Sequence, residues 1–256
     1  MRLVAPAKLT LSLQVLGVRA DGYHELEALA VAIDEPHDVV TIEPAPSASV
    51  RVTGPYASGV PTDASNLALR AALLADAAVA ITLHKRIPHA AGLGGGSADA
   101  GAVLRALDRP DLAPQLGSDV PFCVRGGAAW MRGRGEVLEH ADVPALGVVV
   151  AVPPLRCSTP AVYRAWDELG GPRGRTVEID GLPPLRNDLE PAAERVAPGL
   201  AEFRAALETA AGRPALLAGS GSAYAVVCGR DGDGEVAARV ADAVDGTVFA
   251  GRYLPC

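Results

Sequence analysis

The stretch Pro88–Ala100, with the sequence PHAAGLGGGSADA, decides the fold of this chain. It follows a predicted strand with alternating apolar residues over 79–85, and it opens a predicted helix that begins at about Ser97. Glycines supply backbone N–H groups that can turn inward without a clashing Cβ, and here they are Gly92, Gly94, Gly95 and Gly96. Together with the positive end of the helix, they predict a cradle for phosphate groups. A tight turn kept for backbone reasons is the alternative.

Two common phosphate-binding motifs do not fit this loop. A Walker A motif needs Gly-Lys-Ser/Thr at a fixed spacing, and no lysine stands there. A dinucleotide fingerprint beginning at Gly92 would need a third small residue at position 97, which is a serine, and no paired Rossmann pattern surrounds it. The loop therefore argues against an oxidoreductase.

The flanking sequence predicts strands and helices in alternation. Leucines at 9, 11 and 13 alternate with polar residues, which is typical of a half-buried strand, and a polar turn follows at 19–22. Cap-type residues at 63–66 precede a helix that should run to about Ala77. We also predict strands at 38–43, 49–53, 146–152, either side of 219–222 and at 247–253, and helices at 98–107, 192–211 and 235–244.

Composition excludes several classes of protein. Of the 256 residues, 49% are hydrophobic and 21% charged, with a net charge of -7 and only 4% aromatic residues. Acidic balance and scarce aromatics argue against a nucleic-acid partner. The longest apolar run, Leu146–Leu155, contains prolines and is shorter than the ~20 residues that span a bilayer, so no membrane partner is expected. We expect a cytoplasmic protein with reduced thiols at Cys123, Cys157, Cys228 and Cys256.

The basic residues are unevenly distributed between the two types. Only Lys8 and Lys85 are lysines among 23 Lys plus Arg. Codon bias explains such a preference for arginine. Positions that keep lysine would then be those where a planar guanidinium cannot replace a compact ammonium.

Three motifs, in this order along the chain, resemble those of the GHMP kinases. They are Ala5–Leu11, the glycine-rich stretch Pro88–Ala100 and a second glycine-rich stretch, Leu217–Ala223. The resemblance implies an α+β, two-domain fold: an N-terminal domain like ribosomal protein S5 domain 2 at residues 1–148, and a C-terminal ferredoxin-like α/β sandwich at residues 149–256.

Within this superfamily the chain most closely resembles the 4-diphosphocytidyl-2-C-methyl-D-erythritol kinases of isoprenoid precursor synthesis. The segments that carry the resemblance are Lys8–Leu13, Gly17–Leu26, Ile87–Ala100 and Leu116–Phe122, of which Asp-Gly-Tyr-His at 21–24 is the most discriminating. The resemblance implies transfer of a phosphoryl group from ATP to the 2-hydroxyl of that cytidylyl alcohol. Another GHMP kinase of small alcohols, or a non-catalytic relative that binds ATP or a cytidine nucleotide, is the alternative.

The resemblance implies a catalytic pair. Asp119, in a Leu-Gly-Ser-Asp-Val-Pro segment, would accept the proton of the substrate hydroxyl, and Lys8 would pair with it and stabilise the transferring charge. A neighbouring ammonium would hold the carboxyl group ionised. From the residues alone, Asp119 could equally be a helix cap and Lys8 a solvated charge.

For the acceptor, the resemblance implies recognition of cytosine by Tyr23 and His24, with Tyr163 as a second aromatic against the base. The loop residues Gly219, Ser220 and Gly221 would close over the phosphate side of the substrate, although a simple hairpin turn is the alternative. Thr10 stands where the family commonly has an asparagine that bonds the substrate. Ordinary surface positions are the alternative for the three aromatic residues.

For ATP, the resemblance implies binding by the first glycine-rich stretch, with Asn66 and Lys85 near the adenosine. Magnesium is expected to arrive with ATP, with Ser97 as the protein group that faces it. The binding residues in the stretch are Pro88, Ala90, Gly92, Leu93, Gly94, Gly95, Gly96 and Ser97.

The chain also departs from the family's pattern in length. Only 108–118 lies between the helix after the first glycine stretch and Asp119. Because Asp119 and its flanks are intact, this predicts a trimmed fold with a more open cleft; a weakened enzyme is the alternative. We expect a monomer or a weak homodimer.

Overall fold

The computed structural model describes residues 1–229 and 233–255. Strands β1 (Arg2–Val18) and β2 (His24–Pro44) pair antiparallel over almost their whole length, from Arg2 opposite Thr41 to Val18 opposite His24. The predicted turn at 19–22 joins them, and Gly22 N donates to Arg19 O across it (3.0 Å). The strands of this first half are β1 (Arg2–Val18), β2 (His24–Pro44), β3 (Ser49–Thr53), β4 (Val79–His84), β5 (Ala128–Gly133) and β6 (Val137–His140).

These six strands form one sheet. Its order is β3-β4-β2-β5-β6, and β1 pairs with β2 beside this path. Only the β3–β4 pair is parallel. The helices of this half are α1 (Leu67–Leu74), α2 (Gly95–Ala106), α3 (Ala113–Leu116) and α4 (Val120–Arg125), with a 3₁₀ turn at Pro110–Leu112.

Strand β1 is more buried than its alternating sequence predicts. Thr10 and Ser12, expected on a solvated face, are 2% and 1% exposed. Helix α2 packs against this strand, and residues from the second half of the chain lie against it as well, with the Ser12 hydroxyl donating to Arg186 O (3.1 Å). The prediction of a half-buried strand was therefore wrong, because a second layer covers the polar side.

A second sheet contains four antiparallel strands in the order β10 (Ala215–Leu217), β11 (Tyr224–Cys228), β7 (Gly147–Val152) and β12 (Thr247–Arg252). The mixed α+β class predicted from the sequence is confirmed. The domain boundary predicted after residue 148 falls inside strand β7. The division of the chain into two domains at that residue stays a prediction. The remaining elements are β7 (Gly147–Val152), α5 (Thr159–Glu168), β8 (Thr176–Val177), β9 (Leu185–Arg186), α6 (Glu190–Val196), α7 (Leu200–Ala211), β10 (Ala215–Leu217), β11 (Tyr224–Cys228), α8 (Asp233–Ala243) and β12 (Thr247–Arg252).

The single helix predicted for 192–211 was wrong. Two helices, α6 and α7, occupy this region, and 197–199 separates them. Pro198 disfavours helical geometry at the residue before it and has no N–H to donate, and Gly199 adopts a φ of +96°. The alanine content pointed to one helix, but the Pro-Gly pair breaks it.

Cys123, Cys157 and Cys228 are free and buried, whereas Cys256 lies outside the described residues. Within 1–229 and 233–255, no helix is long and apolar enough to cross a membrane.

Candidate active site

One cleft of about 910 Å³ lies between the two halves of the molecule. Every site residue predicted from the sequence lines it except Gly221. The cleft receives side chains from β1, from the start of α2, from the N-terminus of α4 and from α5. Residues that are far apart in the sequence therefore form a single site.

The first glycine loop, Pro88–Ser97, leads directly into α2 on one wall of this cleft. Helix α2 begins at Gly95, two residues earlier than predicted, so Gly95 and Gly96 belong to its first turn. Gly94 at the N-cap has a left-handed φ of +67°. Lys8 N donates to Leu93 O (3.0 Å), which fixes the loop to β1. The free N–H end of α2 therefore faces the cleft, as expected for phosphate binding.

The second glycine loop, Leu217–Ala223, packs directly on the first. Gly92 has a φ of +78°, and a Cβ at this position would overlap the carbonyl oxygen of Ala218. Ala223 N donates to Ala91 O (3.1 Å) between the loops. Gly219 and Ser220 line the cleft.

Gly221 does not line the cleft, contrary to the prediction. Its N–H donates to Ala218 O (2.9 Å) within the loop. A Cβ at Gly221 would contact the side chains of Leu217 and Cys157, so this residue faces the protein interior. This hydrogen-bonded turn directs the backbone at Gly221 away from the cleft.

Lys8 and Asp119 form an ion pair at the base of the cleft. Lys8 Nζ lies 2.7 Å from Asp119 Oδ1, with 9% and 34% of their side chains exposed. Lys8 is thus a buried charge with a partner, not a solvated one. Asp119 occupies the N-cap position of α4, but its side chain makes no capping hydrogen bond. The carboxylate therefore faces Lys8 and the cleft, and it does not cap the helix.

Two titratable groups near Asp119, the Cys123 thiol and the Tyr163 hydroxyl, are uncharged. Burial and the Asp119 charge raise the pKa of Cys123 to about 12, although Lys8 opposes this. Burial, followed by the same Asp119 charge, also raises the pKa of Tyr163 above its ordinary value. The Cys123 thiol and the Tyr163 hydroxyl therefore stay protonated beside Asp119.

The three residues predicted to recognise the base, Tyr23, His24 and Tyr163, all line the cleft. The His24 ring lies against Tyr163, with centroids 4.6 Å apart, and against the edge of Trp166 at 5.5 Å. His24 Nε2 lies 2.9 Å from Asp167 Oδ1, so the imidazole is already held by the protein. Tyr23 is 54% exposed, and the Arg134 guanidinium lies 4.9 Å from its ring centroid.

Thr10 lies between the ion pair and the second glycine loop. Its hydroxyl is buried and has no hydrogen-bond partner among the residues that the structure describes. A Cβ on Gly219 would lie 3.9 Å from this hydroxyl, which shows how close the loop comes to β1. Buried hydroxyls without a partner are rare, so this one is available to a ligand.

The other lysine, Lys85, lies at the back of the first glycine loop. Its ammonium is buried and bonded to the carboxylates of Asp38 and Asp99. Burial alone would lower the pKa of Lys85, but the two carboxylates raise it above its ordinary value. Burial, together with repulsion from Asp38 and against the attraction of Lys85, raises the pKa of Asp99 to about 7. Lys85 is therefore a buried cation near the predicted nucleotide site, with its charge already compensated.

Asn66 also serves the fold. Its Oδ1 accepts from Ala68 N (3.0 Å) and Leu69 N (3.3 Å), which caps α1, and its Nδ2 donates to Pro61 O (2.8 Å). The residue lines the cleft, but its side-chain hydrogen bonds go to the protein.

Comparison with known proteins identifies the family. Residues 64–127 match the model described as "GHMP kinases N terminal domain". A 4-diphosphocytidyl-2-C-methyl-D-erythritol kinase of Paracoccus denitrificans (strain Pd 1222) is 45% identical over 232 residues, covering 86% of this chain and 84% of its own length. An enzyme of the same name from Cereibacter sphaeroides (strain KD131 / KCTC 12085) is 40% identical, covering 98% and 96%. The chain belongs to the 4-diphosphocytidyl-2-C-methyl-D-erythritol kinase family.

Solved structures agree with this assignment. A crystal structure titled 4-(cytidine 5'-diphospho)-2C-methyl-D-erythritol kinase matches with a TM-score of 0.78 and 36% identity, covering 98% of both chains. A homoserine kinase from Cytophaga hutchinsonii has a TM-score of 0.64 at 19% identity, covering 97% of this chain and 94% of its own, and shows a shared fold alone. The chain is thus an ATP-dependent kinase with an alcohol acceptor, built on the two-domain GHMP fold.

Sequence reasoning missed several residues of this kinase's site. Asp38 lies within a strand, and nothing in its surroundings predicts a pairing with Lys85. Asp99 was explained equally well by the helix dipole. Asp167 and Arg134, which hold His24 and Tyr23, are charged residues in ordinary helical and turn contexts. No local pattern identifies any of the four, because each acts on a residue that is distant in the sequence.

The segment before Asp119 in the kinase is short, as the sequence indicated. It contains the 3₁₀ turn at Pro110–Leu112 and the single helical turn of α3. Ser118 and Asp119 line the cleft. The shorter connection therefore still brings Asp119 to Lys8. A more open cleft stays a prediction.

Proposed function

We propose that this kinase transfers the γ-phosphoryl group of ATP to the 2-hydroxyl of 4-diphosphocytidyl-2-C-methyl-D-erythritol. The observation that carries the proposal is the Lys8–Asp119 ion pair, which opens into the same cleft as the first glycine loop. Relatives that are 40–45% identical bear the name of this activity.

Asp119 acts on the acceptor hydroxyl. Its carboxylate accepts a hydrogen bond from the hydroxyl and takes its proton as the oxygen attacks the γ-phosphorus. The bond to the β–γ bridging oxygen breaks, and ADP leaves with that electron pair. Lys8 holds the Asp119 carboxylate in place at 2.7 Å and puts a positive charge beside the transferring group. Phosphoryl transfer depends mainly on such positioning and charge neutralisation.

The first glycine loop holds the phosphates of ATP. Backbone N–H groups over 92–97 and the positive end of α2 face the cleft, and both favour anions. Pro88, Ala90 and Leu93 shape this wall, and Asn66 and Lys85 fix its two flanks. Here the two lysines of the chain have different tasks: Lys8 acts in transfer, and Lys85 supports the loop.

Magnesium fits this site as a companion of ATP. The Ser97 hydroxyl is the oxygen donor beside the loop, and the described residues contain no group of three His, Cys, Asp or Glu that could hold a metal by itself. Mg²⁺ is commonly bound by one or two protein oxygens, waters and phosphates. When bound, it would neutralise phosphate charge, with Ser97 as its protein ligand.

The cytidylyl end of the acceptor occupies the aromatic end of the cleft. Tyr23 and Tyr163 offer ring faces for the base, and the backbone at His24 can read its polar edge. Gly219 and Ser220 close over the phosphates of the acceptor, and the unpartnered Thr10 hydroxyl bonds to the acceptor chain.

A coupled assay of ADP formation tests this function. Purified protein with ATP and Mg²⁺ should form ADP only when the cytidylyl alcohol is added, and Asp119→Ala should abolish turnover while ATP binding persists. Turnover of homoserine or mevalonate in its place would contradict the substrate assignment. Tight binding of a cytidine nucleotide without any turnover would favour a non-catalytic relative.

A further inference from the structure

Asn187 is a buried residue outside the cleft that connects the two halves of the site. It lies immediately after β9, is 2% exposed and forms an isolated parallel bridge with Leu13 of β1. It does not line the cleft, and the mechanism above does not use it. Buried side-chain amides are normally retained for the hydrogen bonds they make.

The Asn187 amide holds the second glycine loop, Leu217–Ala223. Its Nδ2 donates to Leu217 O (2.9 Å) and to Gly219 O (2.7 Å). Its Oδ1 accepts from Leu189 N (2.9 Å) at the start of α6. One side chain thus uses both N–H groups on the loop and its oxygen on the helix.

Asn187 is itself fixed to β1. Asp188 N donates to Leu13 O (2.9 Å), and Val15 N donates to the Asp188 carboxylate (3.0 Å). The Ser12 hydroxyl donates to Arg186 O (3.1 Å). The same strand carries Lys8 and Thr10, so hydrogen bonds run from β1 through 186–188 to the second glycine loop.

The loop in turn reaches the reacting end of the cleft. Gly219 approaches the Thr10 hydroxyl, and the Ser220 hydroxyl lies 2.8 Å from Thr159 Oγ1. Within the described part of the chain, the N–H groups of Gly219 and Ser220 have no hydrogen-bond partner. Gly219 O and the Ser220 N–H belong to one planar peptide unit, so the hydrogen bond from Asn187 to Gly219 O fixes the direction of the Ser220 N–H.

We propose that Asn187 is a positioning residue for the acceptor: it sets the distance between the second glycine loop and the part of β1 that carries Lys8 and Thr10. The inference rests on the proposed function, which supplies the acceptor bound between them. Among uncharged side chains of this size, an amide alone offers two N–H donors and one acceptor. An aspartate would place a carboxylate oxygen against two carbonyl oxygens.

The test compares Asn187→Asp and Asn187→Ala with wild type. In both variants the KM of the cytidylyl alcohol should rise by about tenfold or more, because the loss of the two hydrogen bonds to Leu217 O and Gly219 O releases the loop that faces the acceptor. The KM of ATP should stay within about twofold, since the first glycine loop keeps its own contacts to β1. A purely structural role would lower the melting temperature without separating the two KM values.

Hydrogen exchange of the ligand-free protein gives a second readout. The amides of Ala218, Gly221 and Ala223 are bonded within or beside the loop, so they should exchange about tenfold faster in the variants. The amides of Lys8 in β1 and Ala98 in α2 donate to Leu93 O and Gly94 O of the first glycine loop, and their exchange should be unchanged. Tyr224→Phe is the matched control, because it removes a hydrogen bond to Glu194 (3.3 Å) in the same half of the molecule and leaves the loop untouched.

Each outcome decides the proposal. Unchanged exchange of the loop amides, or equal effects on both KM values, would overturn it. If Asn187→Asp does not fold, Asn187→Ala, whose smaller side chain leaves room for water at the two carbonyls, carries the test. If wild type does not turn over the cytidylyl alcohol, the proposed function fails, and exchange in the loop still shows whether Asn187 holds it.

Discussion

Lys8 Nζ lies 2.7 Å from Asp119 Oδ1, with the first glycine loop packed directly beside the pair. A Cβ on Gly94 would lie 3.2 Å from Lys8 Cβ and 4.0 Å from Asp119 Oδ2. The backbone at Gly94 therefore contacts the ion pair and also belongs to the proposed phosphate-binding loop. The proposed base and the proposed phosphate site are thus direct neighbours.

Lys8→Arg should be nearly inactive although it keeps the positive charge. The wider guanidinium does not fit between β1 and Gly94, so the charge would be displaced from Asp119. We expect kcat to fall by about 10²–10³, the usual effect of losing one group that stabilises the transition state. Steady-state kinetics and ATP titration check this, with ATP affinity nearly unchanged. An arginine variant with wild-type kcat would exclude the pairing as the reason for the retained lysine.

Gly92→Ala should destabilise the protein and displace the second glycine loop. Its φ of +78° is unfavourable for alanine, and the new Cβ would overlap the Ala218 carbonyl oxygen. We expect a loss of about 2–4 kcal/mol in the free energy of unfolding. Gly96→Ala is the control, because its Cβ would meet only Leu67 Cδ1 at 3.7 Å in the first turn of α2. That variant should be neutral or up to ~1 kcal/mol more stable in urea denaturation. Equal effects of the two substitutions would contradict the packing argument.

Thr10→Val should stabilise the ligand-free protein and weaken acceptor binding. The Thr10 hydroxyl is buried without a partner, so its removal should gain about 1 kcal/mol in the free energy of unfolding. The acceptor would lose one hydrogen bond, which should raise its KM by about tenfold.

Ser12→Ala, two residues further along β1, is the contrasting variant. Its hydroxyl bonds to Arg186 O, so the alanine should cost about 1 kcal/mol of stability. Thermal denaturation of both variants measures these opposite changes in stability. A destabilised Thr10→Val protein with an unchanged acceptor KM would show that the hydroxyl is not a ligand group.

Tyr163→Ala should raise the KM of the cytidylyl alcohol by about 10–100-fold and leave the KM of ATP unchanged. Stacking of one base on an aromatic ring contributes ~1–3 kcal/mol. Tyr163→Phe keeps the ring against His24 and should remain close to wild type. If the alanine variant raised the KM of ATP in place of the acceptor KM, the assignment of the two ends of the cleft would be reversed.

Asp99→Asn should change how stability depends on pH. Burial raises the pKa of Asp99 from 3.8 to about 7, so the folded wild type holds a proton that the unfolded chain releases. This contribution to stability is present below pH ~4 and is lost as the pH rises through ~7. The asparagine does not titrate. Relative to wild type it should therefore gain about 1–3 kcal/mol between pH 5 and pH 8.

Urea denaturation at both pH values measures this gain. Asp111→Asn is the control, because Asp111 is exposed and its pKa is lowered by the Arg109 guanidinium. Parallel stability curves for wild type and Asp99→Asn would contradict the raised pKa.

Local signals explain why much of the fold could be predicted. The cap residues before α1, the glycines before α2 and the alternation in β4 act within a few residues, so each element could be placed. The break between α6 and α7 was missed although Pro198 and Gly199 are visible, because the alanine pattern on both sides masked them. The burial of Thr10 and Ser12 could not be predicted, since it depends on a layer formed by residues after 146.

The sequence by itself determined the family and the two glycine loops, because these are contiguous motifs whose chemistry depends on neighbouring backbone groups. Only the tertiary structure decided how these motifs meet. It placed Asp38 and Asp99 on Lys85, His24 against Tyr163, and Asn187 beneath the second glycine loop. Each of these contacts joins residues from different elements, and burial fixes them, because a polar group removed from water must find its partner wherever the fold supplies one.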